Sequence, residues 1–320
     1  MSEYLIDGGI HVDAALTNMA VEAFDGSGEG FVANEIFPAV PVPKQSDMYY
    51  TVDKAAFLRS PDTLRAPKTA AKKGEWKVSS DNYFCDNHAF RTDHAKESLA
   101  NADAAIQIRQ RSGRFVTQVL QRGRELRVAN TVRSITNVGS GVALTGSAKW
   151  SDGANSDPIA DVNTGHAFIE NNTGLKANTA VVDKDTVRIL RNHPLIRDYS
   201  KYTGAGLVPM SVLQEVFEVE RILVASGIYN TAKQDAAASM SNIWGNCFFL
   251  AHVDRATPDL QTMTFGVCMR WTPEGFPASM AVERYDDADR SKRVEWTEAQ
   301  YFQDEKIVAK DLSYLINNTL

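Results

Sequence analysis

Cysteine is scarce in this chain: 3 in 320 residues, at positions 85, 247 and 268. An odd, widely spaced set argues against a disulfide framework and reads as the reduced thiols of a cytoplasmic protein. Long apolar runs are absent. No stretch of about 18 apolar residues occurs, so no transmembrane helix is expected. Met1 is followed by Ser2-Glu3 with no basic or apolar leader region, so no secretory signal is expected either. Basic excess is missing too: the net charge is −6. A free nucleic-acid-binding protein normally carries the opposite balance, although a local basic face stays compatible with it. The chain has no G-x-x-x-x-G-K-[ST] phosphate loop and no G-x-S-x-G nucleophile elbow. Gly204-Ala205-Gly206 lacks the strand, third glycine and helix of a dinucleotide site and reads as a loop hinge. No repeat with a period of 20 to 50 residues is found.

What is present is a chain of ordinary globular composition, 43% hydrophobic and 23% charged. Its length allows a sizeable core and two domains. The most informative stretch is Asn34-Glu35-Ile36-Phe37-Pro38-Ala39-Val40-Pro41-Val42-Pro43. Proline fixes φ near −65° and donates no hydrogen bond, which predicts an extended strap or edge, neither helix nor central strand. The strap is too apolar to lie free in water. It needs a covering surface, and a neighbouring subunit is the expected supplier.

Glycine-rich segments at 7–9 and 25–30 flank an apolar helical stretch in which Leu16, Met19, Ala20 and Ala23 share one face. This predicts an arm held by a neighbour. A long hairpin follows. Met48–Val52, Trp76–Val78 and Tyr83–Cys85 are rich in β-formers. The polar connection between them ends in a basic cluster that includes Lys68, Lys72 and Lys73. Compact domains rarely carry so long a loop without an external role, so residues 44–90 are expected to project.

Residues 98–135 read as the longest helix, with Ser98 or Asn101 as its cap. Ile108, Phe115, Val119 and Leu126 are expected to form its buried seam. Arg109, Arg111, Arg114, Arg122, Arg124, Arg127 and Arg133 cover much of the rest, opposed only by Asp103 and Glu125. Clustered arginines can pair with neighbouring carboxylates or attract phosphate without reading sequence. Gly113 and Gly123, each costing about 1 kcal/mol in a helix interior, point to a bend or a close contact. Further on, short helices are expected at 158–171 and from Asp183 or Asp185 to Asn192, stopped by His193-Pro194. Phe248–Val253 and Thr264–Met269 read as buried strands, and Lys306 to Ile316 as a final strand. Mixed elements without regular βαβ alternation favour an α+β fold.

Ligand-capable side chains are few. Cys85, His88 and His94, with Asp86 and Asp93, form the densest cluster, but strand alternation divides them and they match no zinc spacing. Asp286, Asp287 and Asp289 lack the glycine and terminal glutamate of a calcium loop. His166 and His252 are isolated and read as structural. No catalytic, cofactor or metal residue is assigned.

In order along the chain, the strap, the hairpin with Tyr49-Tyr50, the arginine-rich helix, Arg191-Asn192-His193-Pro194-Leu195-Ile196 and Ala309-Lys310-Asp311-Leu312-Ser313-Tyr314-Leu315-Ile316 resemble tailed-phage major capsid proteins. The resemblance implies the Hong Kong 97-type capsid fold. It divides the chain into an N-terminal arm (1–34), an extension loop (35–97) and a peripheral domain with the spine helix (98–177). An axial domain (178–264), return strands of the peripheral domain (265–300) and a C-terminal axial strand (301–320) follow. It implies self-association into pentamers and hexamers of an icosahedral head enclosing double-stranded DNA, in the virion after assembly in the host cytoplasm. Implied partners are a portal protein and a decoration protein, with no membrane. Because the arm begins at Met1, a separate scaffolding protein, or none, is expected. Arg111, Arg114 and Arg122, on one flank of the helix, are the candidates for an inward basic face. The lysine–asparagine crosslink of some relatives is not carried over, since no motif marks an acceptor. Alternatives are an encapsulin-like nanocompartment shell and, in a different class, a metal-dependent cytosolic α+β enzyme built on Cys85, His88 and His94.

Overall fold

The computed structural model describes residues 11–12, 16–17, 20–21, 30–52, 58–60, 62–65, 68–71, 73, 78–101, 105–200, 208–233, 236–255, 262–276, 279–288 and 292–320. The described elements run β1 (His11–Val12), α1 (Ala33–Ile36), β2 (Ala39–Val42), β3 (Ser46–Val52), β4 (Val78–Phe84), β5 (Asp86–Ala95), α2 (Lys96–Asn101) and α3 (Ala105–Val132). Then come β6 (Ser140–Ala143), α4 (Pro158–Thr173), β7 (Thr179–Asp183), α5 (Lys184–Asn192), α6 (Pro194–Ser200), α7 (Met210–Val216) and β8 (Arg221–Ala225). The chain finishes with β9 (Ile228–Asn230), β10 (Met240–Asn242), β11 (Cys247–Ala251), β12 (Gly266–Trp271), β13 (Ala281–Asp286), β14 (Val294–Ile307) and β15 (Ser313–Asn317).

Two sheets organise these elements, in an α+β arrangement. The first is built around β14. Residues Val294–Gln303 pair with β5 along one edge; β13 and β12 lie end to end along the other. β1 extends the sheet beyond β13, and β2 extends it beyond β12. The second sheet has the order β6-β15-β11-β7-β8. Its central strands β7 and β11 are buried throughout. That is why Thr179-Ala-Val-Val-Asp183 and Cys247-Phe-Phe-Leu-Ala251 read as unbroken runs instead of alternating ones. An aromatic cluster packs beneath them, with Phe248 edge-on to both Trp150 and Phe217 at 5.4 and 5.5 Å.

Local signals set the helices of this second unit. The Asp157 carboxylate accepts from the amides of Ile159 and Ala160, Pro158 occupies the first turn, and Gly174 ends the helix at φ +73°. Asp183 caps α5 in the same way, and His193 ends it before Pro194.

Several expectations need correction. The strap is covered by its own subunit: Ile36 and Phe37 are completely buried, and Phe37 packs edge-on to Phe265 at 5.6 Å. Its first residues lie in α1, whose N-terminal amides at Val32 and Ala33 donate to Glu125. Pro41 sits on β2, an edge strand parallel to β12, and Pro38 and Pro43 bracket that strand. The arm is also held in cis. β1 pairs with β13, and Leu16 and Ala20 are buried against Val116, Leu120, Met280 and Tyr301. Met19 and Ala23, expected on the same face, lie outside the described residues. Gly113 supplies the close contact expected of it, since a Cβ there would sit 3.3 Å from Leu16.

The buried face of α3 is not the expected seam. Phe115 is half exposed, and Ile108, Val119 and Leu126 are only partly buried. Val116, Leu120, Val128, Ala129 and Val132 carry the packing. Buried Arg124 and Glu125 share that face, so charge interrupts the apolar pattern that sequence reading follows. The helical stretch expected from 98 begins at Lys96, which places Ser98 inside α2. The boundary expected at 300/301 falls inside β14, which runs unbroken from Val294 to Ile307. β6 and α4, in the stretch expected to be peripheral (98–177), pack with β15 in the second sheet. The single final strand expected from Lys306 to Ile316 is divided: Lys306 belongs to the first sheet and β15 to the second.

Candidate interaction surfaces

The seven arginines of the long helix divide by function. Arg109 grips Glu295 on β14 with both Nε and Nη2, at 2.8 and 2.9 Å. Arg127 donates to the Tyr301 hydroxyl at 3.0 Å and to Glu305 at 3.1 Å. Arg124 is buried, donates to Asn34 and lies 3.5 Å from Glu305. Arg133 reaches the Ile243 carbonyl at 3.5 Å. These four tie the helix to the sheet, the strap and the second unit. Arg111 and Arg114 are exposed and Arg122 is half-buried, and none has an ion-pair partner among the described residues. The three candidates for a basic face are therefore the helix arginines that remain available. They share their flank with Phe115, which packs edge-on to Phe90 of β5 at 5.9 Å.

Glu125 was passed over in the sequence. It is almost fully buried and accepts from the amides of Val32 and Ala33, both at 2.9 Å, and from Trp244 Nε1 at 2.6 Å. Burial pushes its pKa up, against the three donors that pull it down. One side chain thus joins the strap, the long helix and the second unit. The available signal was an acid standing almost alone in an arginine-rich helix. Beside it, Glu35 accepts from Arg221 at 2.9 Å and Arg255 at 2.6 Å, fixing α1 from the other side.

The β3–β4 hairpin has two unlike faces. Tyr49 and Tyr83 are buried against Val40, Cys85, Val267 and Met269. Tyr49 donates to Asp81 at 3.0 Å, and burial and that carboxylate push its phenol upward. On the opposite face Met48, Tyr50 and Phe84 are exposed by 59%, 72% and 53%. The pleat explains this: residues 48, 50 and 84 share one side of the register and 49 and 83 the other. The sequence did not say which tyrosine of the Tyr49-Tyr50 pair faces out. Lys68 and Lys73 are described, Lys68 with φ +67°; Lys72 lies outside the described residues.

The Cys85, His88 and His94 cluster is taken apart by its contacts. Cys85 is buried, its thiol pushed up to about 12 by burial, and it donates to the Met269 carbonyl at 3.5 Å. The His88 ring packs tilted against Tyr301 at 5.2 Å, and burial lowers its pKa. His94 bonds Ser112. Among the described residues no three His, Cys, Asp or Glu side chains are grouped to hold a metal. Asp286 pairs with Lys96 at 2.6 Å, and Asp287 accepts from Trp296; Asp289 lies outside the described residues. His166 and His252 bond to the carbonyls of Phe217 and Lys176. Gly204-Ala205-Gly206 lies outside the described residues. No helix among those described is long and apolar enough to cross a membrane.

The fold described above, two sheets with a long helix and a β-hairpin, is similar to that of known proteins. No protein-family model matches the chain. The major capsid protein of Pseudomonas phage JBD67 is 27% identical over 264 residues, covering 81% of this chain and 83% of that protein. The major capsid protein of Burkholderia phage BcepMu is 26% identical over 246 residues, covering 76% of each. Over three quarters or more of its length the chain is similar to phage major capsid proteins. Among solved structures, a phage-related protein from Bordetella bronchiseptica RB50 superposes with a TM-score of 0.73 at 22% identity, over 96% of this chain and 97% of that one. The mature capsid of bacteriophage PhiM1 gives 0.56 at 12% identity, over 100% and 92%. An encapsulin of Synechococcus elongatus PCC 7942 gives 0.53 at 10% identity, over 89% and 85%. These likenesses establish the Hong Kong 97-type fold, which phage capsids and encapsulins share. Both sequence relatives are phage major capsid proteins.

Proposed function

We propose that this capsid protein builds the icosahedral head of a tailed phage, assembling as pentamers and hexamers around double-stranded DNA. The observation that carries the reading is the match to two phage major capsid proteins over three quarters or more of the chain, on the capsid fold. The hairpin supports it. An outward face of Met48, Tyr50 and Phe84 is costly in a free monomer and is explained by an adjacent subunit lying beneath it. Closed shells multiply many modest contacts per subunit.

In this reading the function is structural, with no catalytic step. Arg111, Arg114 and Arg122 face inward and meet DNA phosphates without sequence preference. A separate scaffolding protein, a portal and a decoration protein complete the assembly, which forms in the host cytoplasm and ends in the virion. The arm held in cis on β13 and the strap held by Glu125 are the places where a shift between two packings would accompany expansion of the shell.

The test is purification, with a candidate scaffold, followed by sizing and negative-stain electron microscopy. Closed shells or rings of five and six are expected; a compact monomer that stays unassembled with scaffold overturns the reading. DNA inside native shells separates a phage head from an encapsulin-like compartment, which would hold an enzyme. Replacing Arg111, Arg114 and Arg122 with glutamine should leave empty-shell assembly intact and reduce DNA retention. Unchanged packaging removes the basic-face assignment.

A further inference from the structure

β5 is a ten-residue strand with one hydrogen-bonded neighbour, β14, among the described residues. Its register with β14 is unbroken from Asp86–Gln303 to Ala95–Val294. An antiparallel strand with one neighbour leaves every second amide and carbonyl without a strand partner. Edges of this kind are normally blunted by lysine, proline or a bulge. β5 has none of these: its sequence is Asp-Asn-His-Ala-Phe-Arg-Thr-Asp-His-Ala, and most of it is exposed. The far edges of the same sheet are short strands supplied by the chain itself, β1 and β2.

We infer that the open edge of β5 pairs with β5 of a second copy across a two-fold axis. The inference rests on the shell reading above and names one contact within it. The charges favour a second copy as the occupant and a register centred on Thr92. Centring the antiparallel pair on Thr92 sets Arg91 opposite Asp93 of the mate, and Asp93 opposite its Arg91. Residues 89 to 95 of each copy then face each other. Sliding the centre by one residue sets Arg91 against Arg91, or Asp93 against Asp93. Opposite charges directly across a ladder stabilise it, and like charges oppose it. Both side chains are exposed. Asp93 has no ion-pair partner among the described residues, and Arg91 is braced over Trp296 at 4.3 Å to its ring. A two-fold contact is self-complementary, so one such strand serves both copies.

The test is a Thr92→Cys variant assembled into shells and mildly oxidised. In this register the two cysteines face each other, about 4.5–5.5 Å apart between Cα atoms, within the span of about 4.4–6.8 Å that a disulfide bridges. Native Cys85, Cys247 and Cys268 are buried and do not interfere. A covalent dimer is expected on non-reducing gels from Thr92→Cys shells. None is expected from Asn87→Cys shells, whose cysteines lie ten residues out of register, roughly 33 Å apart. In parallel, Arg91→Asp should cut shell yield severalfold, and Arg91→Asp with Asp93→Arg should restore it, circular dichroism confirming that each free subunit is folded. Thr92→Cys shells without dimers, or a double variant no better than the single, overturn the strand pairing alone. Wild-type chain that forms no shells overturns the shell reading beneath it.

Discussion

Replacing Glu125 with alanine is the sharpest perturbation the structure offers. The carboxylate is buried and receives three N–H groups, from Val32, Ala33 and Trp244. Alanine leaves all three without an acceptor in a site closed to water. Each unsatisfied buried donor costs about 1–3 kcal/mol, a gross loss of about 3–9 kcal/mol. The wild-type side chain also pays to be desolvated, which is why its pKa is raised, and alanine recovers that cost. A net destabilisation of about 3–5 kcal/mol remains, the range seen when one partner of a buried charged pair is removed. Glutamine keeps the volume but turns a donor toward donors, so its loss should fall between wild type and alanine. The assay is urea unfolding of the free subunit followed by tryptophan emission, with amide exchange at Val32 and Ala33 as the local readout. Both amides should lose protection in Glu125→Ala before the β11 amides do. An unchanged midpoint with unchanged exchange at 32 and 33 would refute the claim that this side chain holds the strap.

Three further outcomes follow from single contacts. Gly30→Ala should cost roughly 2 kcal/mol or more, since φ is +76° and a Cβ would fall 1.8 Å from Ser226 Oγ; an unchanged urea midpoint would show that the turn relaxes freely. Phe37→Ala, at a completely buried ring against Phe265, should cost about 3–5 kcal/mol by cavity formation, and a loss below about 1 kcal/mol would mean the strap is not part of the core. His88 and His193 have pKa values lowered from 6.5 by burial. Their contribution is therefore present above about pH 6.5 and lost as pH falls through the lower folded values, so His88→Phe should flatten the acid limb of a stability–pH curve, and an unchanged limb would refute it.

Sequence reading succeeded where one local signal decides the backbone. Asp157-Pro158 and Asp183 start helices, Gly174 and His193-Pro194 end them, and the alternation through Tyr49-Tyr50 makes a strand. It failed where the deciding partner is distant. Nothing near Ile36 or Phe37 says that Phe265 will cover them, so the strap read as needing a second subunit. The long helix misled for the opposite reason. Its buried face includes Arg124, which pairs with Asn34 and Glu305, and Glu125, which accepts from Trp244 and the amides of Val32 and Ala33. An apolar periodicity search discards such positions and promotes Phe115, which is exposed. Conversely, Arg111, Arg114 and Arg122 were legible as a flank because helical spacing alone groups them.

The two edges of the first sheet pose one problem with opposite solutions. A subunit with many free strand edges would aggregate without limit, and one with none would forgo ladder contacts altogether. Here the chain spends its own arm and strap on one side: β1 covers β13, and proline-bearing β2 covers β12. Either cap is short, and β2 cannot be extended freely because Pro41 and Pro43 interrupt its donors. The long edge left over, β5, carries Arg91 and Asp93 two residues apart, with a second aspartate, Asp86, at its start. That spacing penalises self-pairing slipped by one residue to either side of the register centred on Thr92. A generic sticky edge is thereby turned into a contact that closes after two copies, which suits a shell whose growth must end in closure.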